Sequence, residues 1–177
     1  RILVAPCSDR DLYVALTTLE RDAAGKHIPL DKDLWKRSFP VLAPLIDRLD
    51  GDARWDRFVV IKMKRWWHGR LAVVGDAAHA MAPNLGQGGA CAMMNALALA
   101  VCLERHGDVA DGLAAWERQE RPLTDHTQRL SSFYSEMTTW PDSLRSAAFW
   151  MTSRSKWLRK QYLRTALHVP TGTEHCT

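Results

Sequence analysis

The stretch that decides the fold is "GRLAVVGDAAHAMAPNLGQGGACAMMNALALA", residues 69–100. A lone acid, Asp76, closes its first apolar run, and a glycine-rich loop then leads into a long run of small residues. We predict a strand over residues 71–74, buried on both faces because all four are apolar. A helix should follow, run to about Arg105 and end at Gly107. Because this helix is apolar nearly all round, we expect it to lie inside the protein.

The loop between this strand and this helix has the composition of a ligand site. The first N–H groups of a helix lack internal partners, and the helix dipole places about half a positive charge there. Glycine has no Cβ, so its backbone can come close to a flat ligand. Asp76, at the carboxyl end of the strand, suits a ligand hydroxyl rather than a phosphate. The alternative is a glycine loop that only lets the helix pack tightly on the strand.

The spacing of the glycines excludes two common phosphate-binding loops. A P-loop needs Gly-Lys followed by Ser or Thr, and "GQGGA" at residues 86–90 does not have the GxGxxG spacing of dinucleotide-binding folds. The residues by themselves therefore indicate a small-ligand site without naming its ligand.

Residues 69–96, "GRLAVVGDAAHAMAPNLGQGGACAMMNA", resemble the second FAD-binding motif of the FAD-dependent aromatic-ring hydroxylases, flavoproteins of the para-hydroxybenzoate hydroxylase type. The pattern of that family is GR, an apolar strand, GDAAH, a Pro, GQG, and then a helical acid followed by Ala. The flanks are also similar, with tryptophan shortly before the GR and "WERQERP" at residues 116–122 after it. The likeness extends over residues 1 to about 137.

The resemblance implies a mixed α/β (α+β) fold, the carboxyl-terminal part of an FAD-binding protein of that type. It implies that Asp76 hydrogen-bonds the ribityl chain of FAD, that Pro83 lies at the flavin edge, and that backbone N–H groups face the pyrimidine end of the flavin. The dipole of the helix beginning at Gly88 would stabilise negative charge on the reduced flavin. The implied cofactor-binding residues are Gly75, Asp76, Pro83, Leu85, Gly86, Gln87, Gly88 and Gly89.

The activity that the resemblance implies is a monooxygenase reaction. Such an enzyme uses FAD, NAD(P)H and O2 to hydroxylate a small organic substrate, which we expect to be aromatic. Two alternatives stay open: a non-hydroxylating flavoprotein of the same fold, such as a halogenase or dehydrogenase, and a non-catalytic remnant or binding module. No catalytic residue is assigned. His79 could be a base, but its place in the motif favours a structural role.

Two departures from the family pattern qualify the resemblance. Asn95 stands where the family has its helical acid. The GxGxxG unit that binds the ADP half of FAD is absent from these 177 residues. We therefore expect this chain to supply the flavin-ring half of a site that an amino-terminal half, or a second copy in a homodimer, completes.

The rest of the chain divides into three predicted segments. Residues 1–65 should be the remainder of the substrate-domain sheet and its connecting helices, 66–138 the second half of the FAD-binding domain, and 139–177 a basic helical tail. In the first segment we predict a hairpin of residues 2–5 and 12–19, a helix capped by Asp31, a short helix ending near Gly51 and a strand over 58–63. In the second we predict a helix that starts at Asp108 or Asp111 and is kinked at Pro122. In the third we predict helical structure from Pro141 to about Leu167, followed by a frayed end.

The tail is basic and aromatic. From residue 145 to residue 164 there are six basic residues and no acidic one. Lys156, Lys160 and Arg164 recur at every fourth position and share a helix face, and Trp150 and Trp157 lie nearby. We expect terminal helices packed on their own domain, with solvated charges. The alternative is contact with an anionic membrane or a partner.

Composition sets broad limits on the kind of protein. The apolar fraction of 46% and charged fraction of 25% are typical of a globular domain. The net charge of +4 is weak evidence for nucleic-acid binding, and we predict none. The four cysteines show neither a CxxC pair nor zinc spacing, which favours reduced thiols, a cytoplasmic protein and no metal centre.

Overall fold

The computed structural model describes residues 1–50 and 53–173. These fall into two compact units, Arg1–Arg57 and Phe58–Thr177. The predicted three-segment division, with boundaries after residues 65 and 138, stays a prediction.

The first unit begins with the predicted antiparallel hairpin. Strand β1 (Ile2–Pro6) pairs with β2 (Leu12–Leu16), and Ile2 lies opposite Leu16. The Ser8 hydroxyl closes the turn, because its oxygen accepts hydrogen bonds from the backbone N–H groups of Arg10 and Asp11 at 3.1 and 3.0 Å. The hairpin is confirmed, although β2 ends at Leu16 rather than at residue 19.

Two short helices complete the first unit. The Asp31 carboxylate caps α1 (Lys32–Ser38) by accepting a hydrogen bond from Leu34 N at 3.0 Å, as predicted. A single 3₁₀ turn leads into α2 (Ala43–Asp47). The predicted helix end near Gly51 lies outside the described residues.

The second unit is mainly helical. A small antiparallel hairpin of β3 (Trp67–His68) and β4 (Leu71–Ala72) precedes the short helix α3 (Asp76–His79). A 3₁₀ turn at Pro83–Leu85 then leads to the longer helices, which are α4 (Gly88–Arg105), α5 (Val109–Met137), α6 (Asp142–Arg154) and α7 (Lys156–Leu163).

Both strand predictions in the second unit need correction. Residues 58–63 form no strand, because they lie against a loop and a helix: Ile61 N donates to Ala80 O at 3.0 Å, and Ile61 O accepts from Gln128. A strand requires a neighbouring strand to complete its backbone hydrogen bonds. The strand expected over residues 71–74 ends at Ala72 and is not buried on both faces, since the side chain of Leu71 is 66% exposed.

Helix α4 has its predicted ends but not its predicted surroundings. Only one face is buried, through Cys91, Asn95, Ala98 and Cys102, while Met93, Leu97 and Leu103 are exposed. The expectation of an all-round buried helix is therefore wrong for this chain. The reason is that α5 covers one face, and the described residues supply no layer on the other.

Helices α4 and α5 form the core together with Trp66. The backbones come close where α5 has Gly112, since a methyl group there would lie 3.2 Å from the Cys102 carbonyl oxygen. Helix α5 begins where predicted, and the Asp108 carboxylate caps it by accepting from Ala110 N at 2.7 Å. The helix continues through Pro122 to Met137 as one helical segment.

The carboxyl-terminal region differs from the prediction in its last residues. The predicted helical stretch after Pro141 is present as two helices separated at Ser155. The expected fraying is wrong as far as residue 173, because Thr171 is buried. Its hydroxyl accepts a hydrogen bond from Gln119 Nε2 and donates one to Glu120 Oε1. Residues 174–177 lie outside the described part of the chain.

Candidate functional site

The first segment of the predicted site is the turn at Gly75. Its φ of 62° and ψ of −145° belong to a region that glycine alone adopts without strain. The turn starts α3 at Asp76, whose side chain is exposed. A methyl group on Gly75 would lie 3.8 Å from the Ala92 Cβ, so this turn touches the first part of α4. The geometry thus places the Gly75 turn, from which Asp76 follows, against the first turns of a long helix.

The second segment of the predicted site is the loop that precedes α4. Gly86, with φ 64° and ψ 19°, follows the 3₁₀ turn begun by Pro83 and donates its N–H to Pro83 O at 3.1 Å. Gln87 is the N-cap of α4, yet its side chain does not cap the helix. A methyl group on Gly86 or Gly89 would meet nothing within 4 Å. The peptide groups at this helix start are therefore open to a flat ligand.

This geometry fits the flavin end of FAD. Exposed N–H groups at a helix start are suited to the electron-rich oxygen and nitrogen atoms of such a ring, and the helix dipole favours negative charge on it. A nearby carboxylate is suited to accept hydrogen bonds from a polyol chain. Which atoms of FAD each of the eight predicted residues contacts stays a prediction.

Helix α5 supports the loop from its other side. Gln128 Nε2 donates to Ala80 O at 2.8 Å and to Ile61 O at 2.6 Å. Ser131 Oγ donates to Ala82 O, and Asn84 Nδ2 donates to Ser131 O at 3.4 Å. Sequence reasoning missed these supports. The available signal was two polar side chains, Gln128 and Ser131, on the buried stripe of α5.

His79 lies in the core rather than in the site. It is 3% exposed, and its ring stacks obliquely 5.3 Å from that of Trp66. Its Nε2 atom accepts from Asn95 Nδ2 at 2.9 Å, and burial lowers the pKa of the imidazole. A base buried in this way does not reach a ligand in the loop, which supports the structural role expected for it.

Asn95 is the centre of this buried polar group. Its Nδ2 also donates to Thr124 Oγ1 at 3.2 Å, and its backbone carbonyl accepts from Trp116 Nε1 at 2.8 Å. The Asn95 amide donates to the unprotonated Nε2 of a neutral imidazole, whereas a carboxylate at this position would need a proton on Nε2. Asn95 therefore matches the neutral state that burial imposes on His79.

A second cluster links α5 to the segment before β3. Arg121 donates to the carbonyl oxygen of Lys64 at 2.8 Å and forms an ion pair with Glu117, whose carboxylate accepts from Trp66 N at 3.2 Å. A shallow depression of about 460 Å³ lies beside this cluster and is lined in part by Arg65 and Trp67. Its lining includes none of the eight predicted site residues.

The comparison with known protein families agrees with the site. Residues 45–133, just over half of the chain, match the family model described as an FAD binding domain. The chain therefore belongs to this family of FAD-binding flavoproteins, and the predicted family and cofactor class are confirmed.

Two curated relatives are close in sequence. A Rhodococcus erythropolis protein, provisionally named a 2-heptyl-3-hydroxy-4(1H)-quinolone synthase, is 42% identical over 171 residues, which are 97% of this chain and 45% of that protein. The 2-heptyl-3-hydroxy-4(1H)-quinolone synthase of Mycobacteroides abscessus is 39% identical over 158 residues, 88% of this chain and 42% of the relative. The chain thus spans less than half the length of these relatives.

A solved structure confirms the fold class. The tetrameric form of 2-methyl-3-hydroxypyridine-5-carboxylic acid oxygenase matches with a TM-score of 0.76 and 37% identity, over 96% of this chain and 43% of that one. The mixed α/β arrangement predicted from the motif is therefore also the arrangement of this solved oxygenase over the part that the chain covers.

Proposed function

We propose that this chain supplies the flavin-ring half of the active site of an FAD-dependent monooxygenase. The whole protein would use NAD(P)H and O2 to hydroxylate a small aromatic substrate. Support comes from relatives whose names specify a quinolone product and a hydroxypyridine substrate, both nitrogen-containing aromatic rings. Because the chain spans less than half of each relative, the remainder of the site would come from an amino-terminal half.

One observation carries the proposal: the chain turns at Gly75 and Gly86 bring an exposed carboxylate and an uncapped helix start to one region. In the proposed complex, Asp76 holds the ribityl hydroxyls, and the backbone from Leu85 to Gly89 lies along the pyrimidine end of the ring. Pro83 would limit the position of the flavin edge. When bound, FAD supplies the redox chemistry with O2; this chain binds, orients and stabilises charge.

The experiment is a titration of the purified 177-residue chain with FAD, followed by flavin fluorescence and the visible spectrum. Asp76→Ala is the test variant. Asp9→Ala is the matched control, because it removes an equally exposed carboxylate from the first unit. We expect saturable binding that Asp76→Ala weakens about tenfold or more, since hydrogen bonds to a charged group are lost, and that Asp9→Ala leaves unchanged.

The same titration should be repeated with this chain joined to the proposed amino-terminal half. If binding appears only in the longer protein and still depends on Asp76, the half-site proposal holds and the ADP half is required. Equal affinity of the wild type and Asp76→Ala in both forms would contradict the proposed role of this carboxylate.

A further inference from the structure

Helices α6 and α7 pack on the same region of α5 through one side each. The ring of Tyr134 on α5 lies 6.4 Å from that of Phe149 on α6 and 5.5 Å from that of Tyr162 on α7. On α7, Gln161 O also accepts a hydrogen bond from His126 Nε2 at 3.0 Å. These contacts fix which sides of the two helices face the protein.

The other sides of these helices expose an unusual amount of apolar surface. Neither helix buries a residue fully. Apart from Phe149 and Tyr162, which face Tyr134, the exposed large apolar side chains between residues 144 and 169 are those of Leu144, Trp150, Met151, Trp157, Leu163, Leu167 and Val169. Trp157 is 66% exposed, although tryptophan loses much free energy when it is left in water. Apolar exposure concentrated in one region indicates a binding surface rather than chance.

The same region is uniformly basic. Residues 143–173 contain six Lys and Arg residues and no acid. Lys156 and Lys160 of α7, and Arg164 at its C-cap, recur at every fourth position and are exposed, as is Trp157. Within the described part of the chain, Arg145 is the one of the six that has an ion pair, with Asp142. The remaining positive charges thus have no acidic partner there.

We propose that this basic and aromatic surface, formed by α6 and α7, docks on the anionic surface of a membrane. Anionic headgroups would neutralise the Lys and Arg side chains, and the tryptophans would enter the interface where an amphipathic ring is most stable. A second copy of the chain is disfavoured as the occupant, because it would bring like charges together. Among the described residues no helix is long and apolar enough to cross a membrane.

The test is flotation of the 177-residue chain with lipid vesicles. Vesicles of phosphatidylcholine mixed with phosphatidylglycerol are compared with phosphatidylcholine alone, at low and high salt. The triple variant Lys156→Gln, Lys160→Gln, Arg164→Gln removes three of the four positive charges of α7 and its C-cap and leaves Arg159. The matched control, Lys62→Gln, Lys64→Gln, Arg70→Gln, removes the same charge from exposed side chains elsewhere in the second unit. Trp157→Ala removes the apolar contact and keeps the charge, and circular dichroism verifies that each variant is folded.

We expect salt-sensitive binding to the anionic vesicles alone. Each neutralised residue of α7 should weaken it about fivefold, and the triple variant about a hundredfold, while the control triple variant binds like the wild type. Trp157→Ala should also bind more weakly. Failure of the wild type to float, or equal binding by both triple variants, would overturn the proposal. If the wild type does not bind vesicles but forms a dimer, and Trp157→Ala is a monomer, the occupant of this surface is a second copy of the chain instead. The readout is independent of FAD binding.

Discussion

At the scale of single residues, the orientation of the Asn95 amide selects the tautomer of His79. Asn95 Nδ2 donates to His79 Nε2, so that ring nitrogen carries no proton. His79 Nδ1 then carries the ring proton, and this buried atom has no partner within the described structure. A doubly protonated imidazole would lose the bond to Asn95 and place a charge between Trp66 and α4. The buried network is therefore compatible only with neutral His79.

This arrangement predicts that stability depends on pH. The pKa of His79 is below its ordinary value of 6.5 in the folded chain because of burial, and the unfolded chain titrates at the ordinary value. Below pH 6.5 the unfolded state binds more protons, so the free energy of unfolding should fall as the pH falls. The slope from this residue is at most about 1.4 kcal/mol per pH unit. Urea unfolding at several pH values should show that His79→Gln lacks this part of the slope; identical slopes would contradict the assignment.

At the scale of elements, α5 organises the second unit. It provides Trp116 to the core, Arg121 to the carbonyl groups before β3, and Gln128 and Ser131 to the loop that enters α4. A polar side chain on a buried stripe is stabilising only where its hydrogen bonds are satisfied. Helix α5 therefore positions the candidate site through backbone carbonyls, without contributing any of the eight predicted residues.

The bridge made by Gln128 can be tested with a nearly isosteric change. Gln128→Glu replaces the amide, which donates to two carbonyls, by a carboxylate that cannot donate. We expect a loss of about 3 kcal/mol in the free energy of unfolding at neutral pH, since Ile61 O loses the Gln128 donor, Ala80 O keeps only Ile61 N, and a buried carboxylate is left beside both oxygens. Part of this should return in acid, where the protonated carboxyl can donate once. Gln161→Glu on α7 is the control, and a similar loss in both variants would argue against a specific bridge.

At the scale of the whole molecule, α4 and residues 58–60 form a second region of exposed apolar surface, besides α6 and α7. Met93 is 71% exposed and Phe58 55% exposed. The matching solved oxygenase is more than twice as long as the part that this chain covers. An additional layer of protein would bury this apolar surface and remove it from water, which agrees with the proposed amino-terminal half.

The isolated chain should accordingly bind the dye ANS and associate at high concentration. Met93→Lys combined with Leu97→Lys should reduce both and change the free energy of unfolding by no more than about 0.5 kcal/mol, because exposed side chains contribute little to stability. Ala98→Lys on the buried face of α4 is the contrasting control and should prevent folding. A large loss of stability in the double variant would show that this face is already covered in the 177-residue chain.

The parts of the fold that could be predicted are those controlled by local chemistry. Asp31 and Asp108 cap helices because their carboxylates accept nearby N–H groups, and Ser8 closes a hairpin turn for a similar reason. The glycines of the site were recognisable from the motif, and the structure shows that Gly75 and Gly86 adopt positive φ angles that suit glycine best. The failed predictions concern neighbours: residues 58–63 have the composition of a strand, but composition does not provide a partner strand.

The sequence by itself determined the family, the cofactor class, both ends of α4 and the starts of α1, α5 and α6. Motif spacing, caps and glycine positions act within a few residues of each other. Only the tertiary structure decided which face of α4 is covered, that His79 is a neutral core residue held by Asn95, and that α5 supports the site loop through Gln128 and Ser131. It also decided that α6 and α7 leave their basic, aromatic sides exposed. These features depend on contacts between residues far apart in the chain, and the pattern of a single segment does not specify which distant surface it will meet.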